Sequence, residues 1–495
     1  MMPLLHSMPA AADPGPRWLP ALLVLLAVGI AYANALHASF QFDDWDVIVR
    51  DPHVQSLAAW WDSMPGMRPL LKLSYALNHA SGLGVTGFHA VNVLVHAGNG
   101  LLILYLVQRF LAQLGYPAAS AAWLALATAL IFVLHPVQTE AVTYASGRSM
   151  SLSTLFALAS IAAWVAGRAS GRPGLVYVVS PILMLLGVAT KESAVVVPAA
   201  LLLWEVADVS QPFRWRTAWR RSAVHWALLS VALAMVLWLP AYREFLTASL
   251  ATRSVGENLV AQLHGIGYLL GQLVNIDRLN VDPTLPVITA LDAEGSLVLV
   301  ALVVAAGVAL TNLRRFPLPA FAVLWFLLWL APTNSLLARL DLVNDRQLYA
   351  AIAGPALLLA AAIHRIGTRQ PRIAFVAFSA VLLLTGLATH LRNDVYRDEV
   401  GFLRNVVAQS PHNARAFNNL GIALADECDL ERAEAEILIL LSGIDEALEQ
   451  TVHARSSYRA HEIVWNARFQ SMFLPADGRR RVAVDISRVH AIEPV

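Results

Sequence analysis

The sequence predicts an all-α polytopic membrane protein with about 11 transmembrane helices, and three observations predict it. Of its 495 residues, 57% are hydrophobic and only 14% charged, and mean hydropathy is +0.58. The apolar residues gather in runs long enough to cross lipid, which a soluble core does not require. Between alternate runs lie short loops rich in arginine. The formal net charge of +1 and the absence of a basic face give no nucleic-acid signal. Cys428 is the only cysteine, which rules out a disulfide framework or a cysteine-rich metal site within one chain.

The elements follow in order. Residues 1–17 read as a cytoplasmic N-terminus, and WLPALLVLLAVGIAYANAL, about 20 residues from Trp18, fits a retained anchor better than a short cleavable segment. Further spans are expected near 88–110, 119–135, 150–167, 174–190, 193–207, 222–241, 295–312, 317–331, 347–364 and 373–390. With the N-terminus inside, Arg109, Arg168, Arg172, Arg214, Arg216, Arg220, Arg221, Arg314, Arg315, Arg365, Arg369 and Arg372 all fall in cytoplasmic loops. The outer face then holds loops 38–87 and 242–294, the HPVQTEAVTYASGRSM, KES and PTNSLLARLDLVNDRQ segments, and the C-terminus. NLVAQLHGIGYLLGQLVNI is only moderately apolar, and letting it span would reverse every later arginine, so it is laid flat at the interface. Trp60 and Trp61 suit an interfacial helix at headgroup level.

After residue 392 the chain becomes polar. Phe417, Leu420, Gly421, Leu424, Asp429, Ala433 and Ile437 fit the helix-turn-helix pattern of one tetratricopeptide repeat within 393–445. Leu440 and Cys428 depart from that pattern, and one repeat cannot bury its apolar face alone. Residues 446–495, with the basic run Gly478 to Arg481 and a strand-like VAVDI, form a tail without an assigned fold.

The acidic pair Asp43 and Asp44 ends the first span on the outer side. Adjacent carboxylates resist joint ionisation, so at least one pKa rises, and a membrane-embedded enzyme can keep its base there. The alternative is a helix-end cap at the membrane boundary. Outer-face cations are Arg68, Lys72, Arg148, Lys191, Arg339 and Arg346, with His135 as a further donor. Each also has a plain structural reading: Arg346 as a snorkelling anchor, and Lys191 neutralised by its neighbour Glu192. His135 and Glu140 are separated by a proline and need not share a face; their spacing is not a zinc signature, and metal dependence stays open. His89 and His96 share one face of the second span and read mainly as core histidines. No GxGxxG or GKS occurs, which argues against a soluble nucleotide-sugar donor.

FDDWDVI, RPLLKLSYALN, GFHAVNVLVH, HPVQTEAVTYASGRS, ATKESAVVVPAALLLWE and APTNSLLARLDLVNDRQLY occur in that order. In this series the chain resembles, over roughly residues 18–440, the tetratricopeptide-containing transmembrane proteins related to protein O-mannosyltransferases, which share the type C glycosyltransferase membrane fold. The resemblance implies a glycosyltransferase domain at 18–392. It also implies transfer of a sugar, mannose by resemblance, from a polyprenyl-phosphate donor to a protein Ser/Thr hydroxyl or a glycan at the periplasmic or lumenal face. In this reading an outer-loop carboxylate is the base, Asp44 favoured over Asp43. Arg346, Arg148, Lys191, Arg68, His135 and Glu140 are candidates for binding donor or lipid phosphate, Arg346 first because its fork matches phosphate. A divalent ion on Asp44 is left open. Expected partners are the lipid-linked donor, the acceptor, membrane lipids and a protein recruited by the repeat-like segment. Arginine over lysine and much alanine suggest a bacterial inner membrane. Two rivals are a non-catalytic repeat scaffold, which leaves the outer-face motifs unexplained, and a transporter, which ordinarily places charges at the bilayer midplane.

Overall fold

The computed structural model describes Pro16 to Asp426 except Arg17, Pro65, Ser335 and Leu340. Compact units cover 1–423 and 424–495, and residues 427–495 lie outside the described part. Among the described residues the chain is helical with no strand. The second helix of the expected repeat and the strand-like VAVDI fall outside them; the helix Ala414–Asp426, with Phe417 and Leu420 buried, lies inside.

Helices stand at each expected span, but fewer than the expected number qualify as full spans by length and composition alone. Four are long and apolar enough to cross a membrane: Gly84–Gln113, Ala145–Ser170, Ala293–Asn312 and Pro371–Asp394. The number reaches six if two bent pairs each count as one span, one of them Ala118–Leu134 with Pro136–Val142, bent by 55°. The first run illustrates the shortfall. Its α-helix covers only Leu19–Ala31 before tightening into a 3₁₀ turn at Ala33–His37. Likewise 174–190 begins as a π-helix at Leu175–Val179 and 193–207 as a 3₁₀ turn at Glu192–Val196. Hydropathy registers apolar length and is blind to such changes of winding. The segment laid flat forms Val255–Gln272, which is not among the helices that qualify as spans.

The apolar windows of Ala293–Asn312 and Pro371–Asp394 are only 11% and 17% buried. A helix apolar all round yet left uncovered by protein requires lipid as its solvent, so the chain is a helical membrane protein.

Buried polar groups close the bundle at one end, where lipid offers them no partner. Asn393 donates to the Ala31 carbonyl at 3.0 Å and accepts from the Thr143 hydroxyl at 2.6 Å, while Thr389 donates to the Leu134 carbonyl at 2.7 Å. The last long helix is thereby stapled to the first helix and to the break at His135. Gly147 is required at the next corner, because a Cβ there would lie 2.1 Å from the Glu140 carbonyl oxygen.

Candidate active site

Five segments converge above this end of the bundle: residues 39–46, Arg68, Glu140 to Ser146, Lys191–Glu192, and 339–346. The two acidic neighbours occupy different environments. Asp44 is fully buried. Its carboxylate accepts the Gln41 N–H at 3.0 Å and the Ser146 N–H at 2.7 Å, so both oxygens are engaged. Burial pushes its carboxyl up to about 7, those backbone bonds oppose the rise, and Asp43 adds a little to it.

Asp43 is half-buried, with Arg346, Asp341 and Arg415 as its charged neighbours. Its N–H donates to the Tyr144 hydroxyl at 2.9 Å, and that hydroxyl also hydrogen-bonds its carboxyl. Burial raises the Asp43 carboxyl; Arg346 opposes, Asp341 adds, and Arg415 and Tyr144 oppose. The preceding residue, Phe42, holds φ at 45°, left-handed backbone that a bulky side chain rarely adopts. Arg68, at φ 49°, is the other non-glycine residue there among the described residues. Both strained positions border this site.

The cations divide into paired and unpaired. Arg346 donates its N–H to Glu140 at 2.8 Å, holds the same carboxylate through Nε at 3.4 Å, and lies 5.8 Å over the Tyr144 ring. Burial penalises this guanidinium, and Glu140, Tyr144, Asp43 and Asp341 more than offset it, so it is held above its ordinary value. Arg68 grips Glu192 through Nε and Nη2, the shortest contact being 2.9 Å, and Tyr242 donates to the same carboxylate at 3.4 Å. The Lys191–Glu192 self-neutralisation expected from sequence is therefore replaced by an Arg68–Glu192 pair. Lys191 is left with a 3.5 Å contact to the Ser149 hydroxyl. Burial, reinforced by Arg346, Arg68 and Arg339, holds its amine well below the ordinary lysine value. Arg339 is half-buried, and its side chain makes no ion pair or hydrogen bond among the described residues. Burial first, then Arg346 and Arg68, push it down to about 10.

Two desolvated cations without carboxylate partners, beside two paired ones, form a locus that an anion would stabilise. Asp43 stands at its edge.

The structure sets other sequence candidates apart. Arg148 is fully buried: Nε donates to Asn92 at 2.6 Å, Nη2 to the Phe88 carbonyl at 2.8 Å and Nη1 to the Ser74 carbonyl at 3.1 Å. Its guanidinium is a rivet between helices, with no surface for a ligand. His135 accepts the Val137 N–H at 3.2 Å and meets the Leu273 carbonyl at 3.2 Å, so it ties the helix break. Glu140 joins the site as the counter-charge of Arg346. Lys72 pairs with Asp51 at 2.9 Å. His96 bonds Tyr349 at 2.8 Å and the Val133 carbonyl at 3.1 Å, a satisfied core histidine. No group of three or more His, Cys, Asp or Glu among the described residues is arranged to hold a metal ion.

Tyr144, Asp341, Asp345 and Arg415 were missed in the sequence. Asp345 is buried, accepting the Asn280 N–H at 2.9 Å and the Tyr268 hydroxyl at 3.2 Å, and burial with Glu140 nearby pushes it up to about 8. Adjacency to Arg346 was the one signal available for it.

Comparison with known proteins bears on this arrangement. The chain is 24% identical to human protein O-mannosyl-transferase TMTC3 across 83% of its own length and 50% of that protein's. It is 26% identical to Drosophila melanogaster protein O-mannosyl-transferase Tmtc3 across 86% of its length and 55% of the relative's. The chain is thus similar to proteins named protein O-mannosyl-transferase. Human protein O-mannosyl-transferase TMTC2 is 34% identical over a shorter stretch, 29% of this chain and 18% of the relative. The chain spans about half the length of the first curated relatives that it matches over most of its own sequence. Its residues 422–495 match the family described as Inward rectifier potassium channel C-terminal domain, a minor part of the chain that overlaps the second half of the expected repeat. No solved structure matches it.

Proposed function

We propose that this chain is an integral membrane glycosyltransferase. It moves mannose from a polyprenyl-phosphate donor to a Ser or Thr hydroxyl of a protein at the periplasmic face of a bacterial inner membrane. The transferase domain is residues 18–392, with about 11 spans, the shorter helices crossing with their 3₁₀ and π extensions. The names of the relatives support the reaction class, and one observation carries the reading: a partly accessible carboxylate, Asp43, neighbours Arg346, whose charge also bears on Arg339 and Lys191, two cations with no carboxylate partner among the described residues.

The chemistry divides along that line. Asp43 takes the acceptor hydroxyl proton, the freed oxygen attacks the anomeric carbon, and the bond from that carbon to the phosphate oxygen breaks with inversion. The departing lipid phosphate keeps the electron pair and gains a negative charge. Arg339 and Lys191, with Arg346 behind them, are placed to stabilise it. Asp44 keeps the loop in place through Gln41 and Ser146, so the role expected for it from sequence passes to its neighbour.

The test is transfer of radiolabelled mannose from polyprenyl phosphate into membrane or periplasmic acceptors by equally expressed proteins. Asp43→Asn is expected to lose about 10²–10⁴-fold in rate, the usual contribution of a general base. Transfer by Asp43→Asn at the wild-type rate moves the base elsewhere. Absence of transfer by the wild type with several donor sugars overturns the transferase reading.

A further inference from the structure

Residues 396–415, beyond the last long helix, contact the acidic loop from more than one side. The Ser39 N–H and the Gln41 amide donate to the Tyr396 carbonyl, each at 3.1 Å, and the Trp45 indole donates to Glu399 at 3.1 Å. On another side, the Asp282 carbonyl accepts from Ser410 at 3.3 Å and Asn413 at 3.1 Å. Asn280, two residues earlier, donates its amide to Ser410 at 2.8 Å and its N–H to Asp345.

Arg415 joins these contacts. Its Nε donates to Asp282 at 3.1 Å, its Nη2 pairs with Asp282 and also with Asp341, the latter at 2.7 Å, and its guanidinium carbon lies 5.2 Å from the centre of the Phe42 ring. Phe42 is the left-handed residue immediately before Asp43. The groups facing Asp43 are thus Arg346, Asp341, Arg415, Tyr144 and Asp44, drawn from four separate stretches of chain. Asp341 is a carboxylate whose charge raises Asp43, and Arg415 is its ion-pair partner.

We propose that Arg415 is a positioning residue for the base: by pinning Asp341 to Asp282 and stacking on Phe42, it fixes both the charge and the backbone beside Asp43. The C-terminal segment is then a working part of the transfer site. This rests on the reading of Asp43 as the base. Removing Arg415 leaves Asp341 as an unneutralised carboxylate facing Asp43, which makes Asp43 harder to ionise. It also releases the ring that holds Phe42 in a costly backbone conformation.

The experiment compares full-length wild type with Arg415→Ala, Arg415→Lys, Asp341→Asn and the double variant Arg415→Ala/Asp341→Asn. Two readouts are taken: the pH dependence of kcat/KM for mannose transfer, and hydrogen exchange of residues 39–46. Arg415→Ala is expected to move the acid limb up by about one pH unit and to speed exchange of the loop. The double variant brings the limb back towards wild type, because the offending charge has gone, while exchange stays fast. Arg415→Lys keeps the charge and so holds the limb near wild type. If Arg415→Ala does not fold, Asp341→Asn alone decides, and a limb that fails to move downward overturns the proposal. Equal loss of rate at every pH, with no recovery in the double variant, also overturns it. If the wild type transfers no sugar, the transferase reading fails separately. Exchange then judges the latch alone, faster exchange in Arg415→Ala supporting it and unchanged exchange overturning it.

Discussion

Asp43 and Asp44 are chemically identical neighbours set in different environments by two backbone N–H groups. The Gln41 and Ser146 amides occupy Asp44, and burial leaves its carboxyl at about 7 against an ordinary 3.8. The folded chain therefore holds that proton more tightly than the unfolded chain does. Stability is greatest below the unfolded pKa and falls as pH climbs from about 4 to about 7, by about 1.4 kcal/mol per unit. Asp44→Asn cannot lose a proton, so whatever its offset at pH 4, it should gain on wild type by up to about 4 kcal/mol by pH 7. Unfolding midpoints in detergent measure this, and parallel curves for the two proteins would sink the assignment. The acidic pair was legible in the sequence. Which member is free was not, since Ser146 stands 102 residues from Asp44 and no local spacing reports that contact.

Among the elements, the anion locus is assembled from segments whose individual meaning is ambiguous. KES is a three-residue corner between two apolar runs, and local logic pairs its lysine with its glutamate. The fold instead brings Arg68 across, and a charge-neutral dipeptide becomes an unpaired Lys191. Arg148 shows the reverse: an outer-face arginine by sequence, it is consumed by Asn92, Ser74 and Phe88 before any ligand could reach it. Arg339 is the sharpest test at this scale because its side chain has no ion pair or hydrogen bond to lose among the described residues. Arg339→Ala is expected to raise KM for the lipid donor and lower kcat/KM by about tenfold to a hundredfold, the worth of a charge-assisted hydrogen bond, with little change in the unfolding midpoint. A wild-type kinetic profile, or a large loss of stability, counts against the phosphate role.

Over the whole molecule, hydropathy found where helices lie, and by length and composition four of them, or six with the two bent pairs, qualify as full spans. The Leu19–Ala31 helix and the two runs opened by π and 3₁₀ turns are apolar enough to be noticed, but their winding changes inside the run. Turns of that kind are chosen by packing against neighbours, which a hydropathy window does not sense. The Asn393 and Thr389 staples were equally hidden, because polar residues near the end of an apolar run read as a boundary. They in fact hold the last helix to the first and bring residues 396–415 beside the acidic loop.

The chain has 33 arginines and only two lysines, Lys72 and Lys191. Lys72 is tied to Asp51, whereas burial and three neighbouring arginines hold the Lys191 amine well below the ordinary lysine value, which favours its nucleophilic form. A small electrophile such as formaldehyde with a mild reductant should therefore modify Lys191 ahead of Lys72 at pH 7, and peptide mass spectrometry would read the order directly. Inorganic phosphate or a polyprenyl phosphate seated on the locus should favour the charged form and shield the amine. A scarce side chain thus becomes a built-in chemical reporter of whether the anion site is filled, readable without following any turnover.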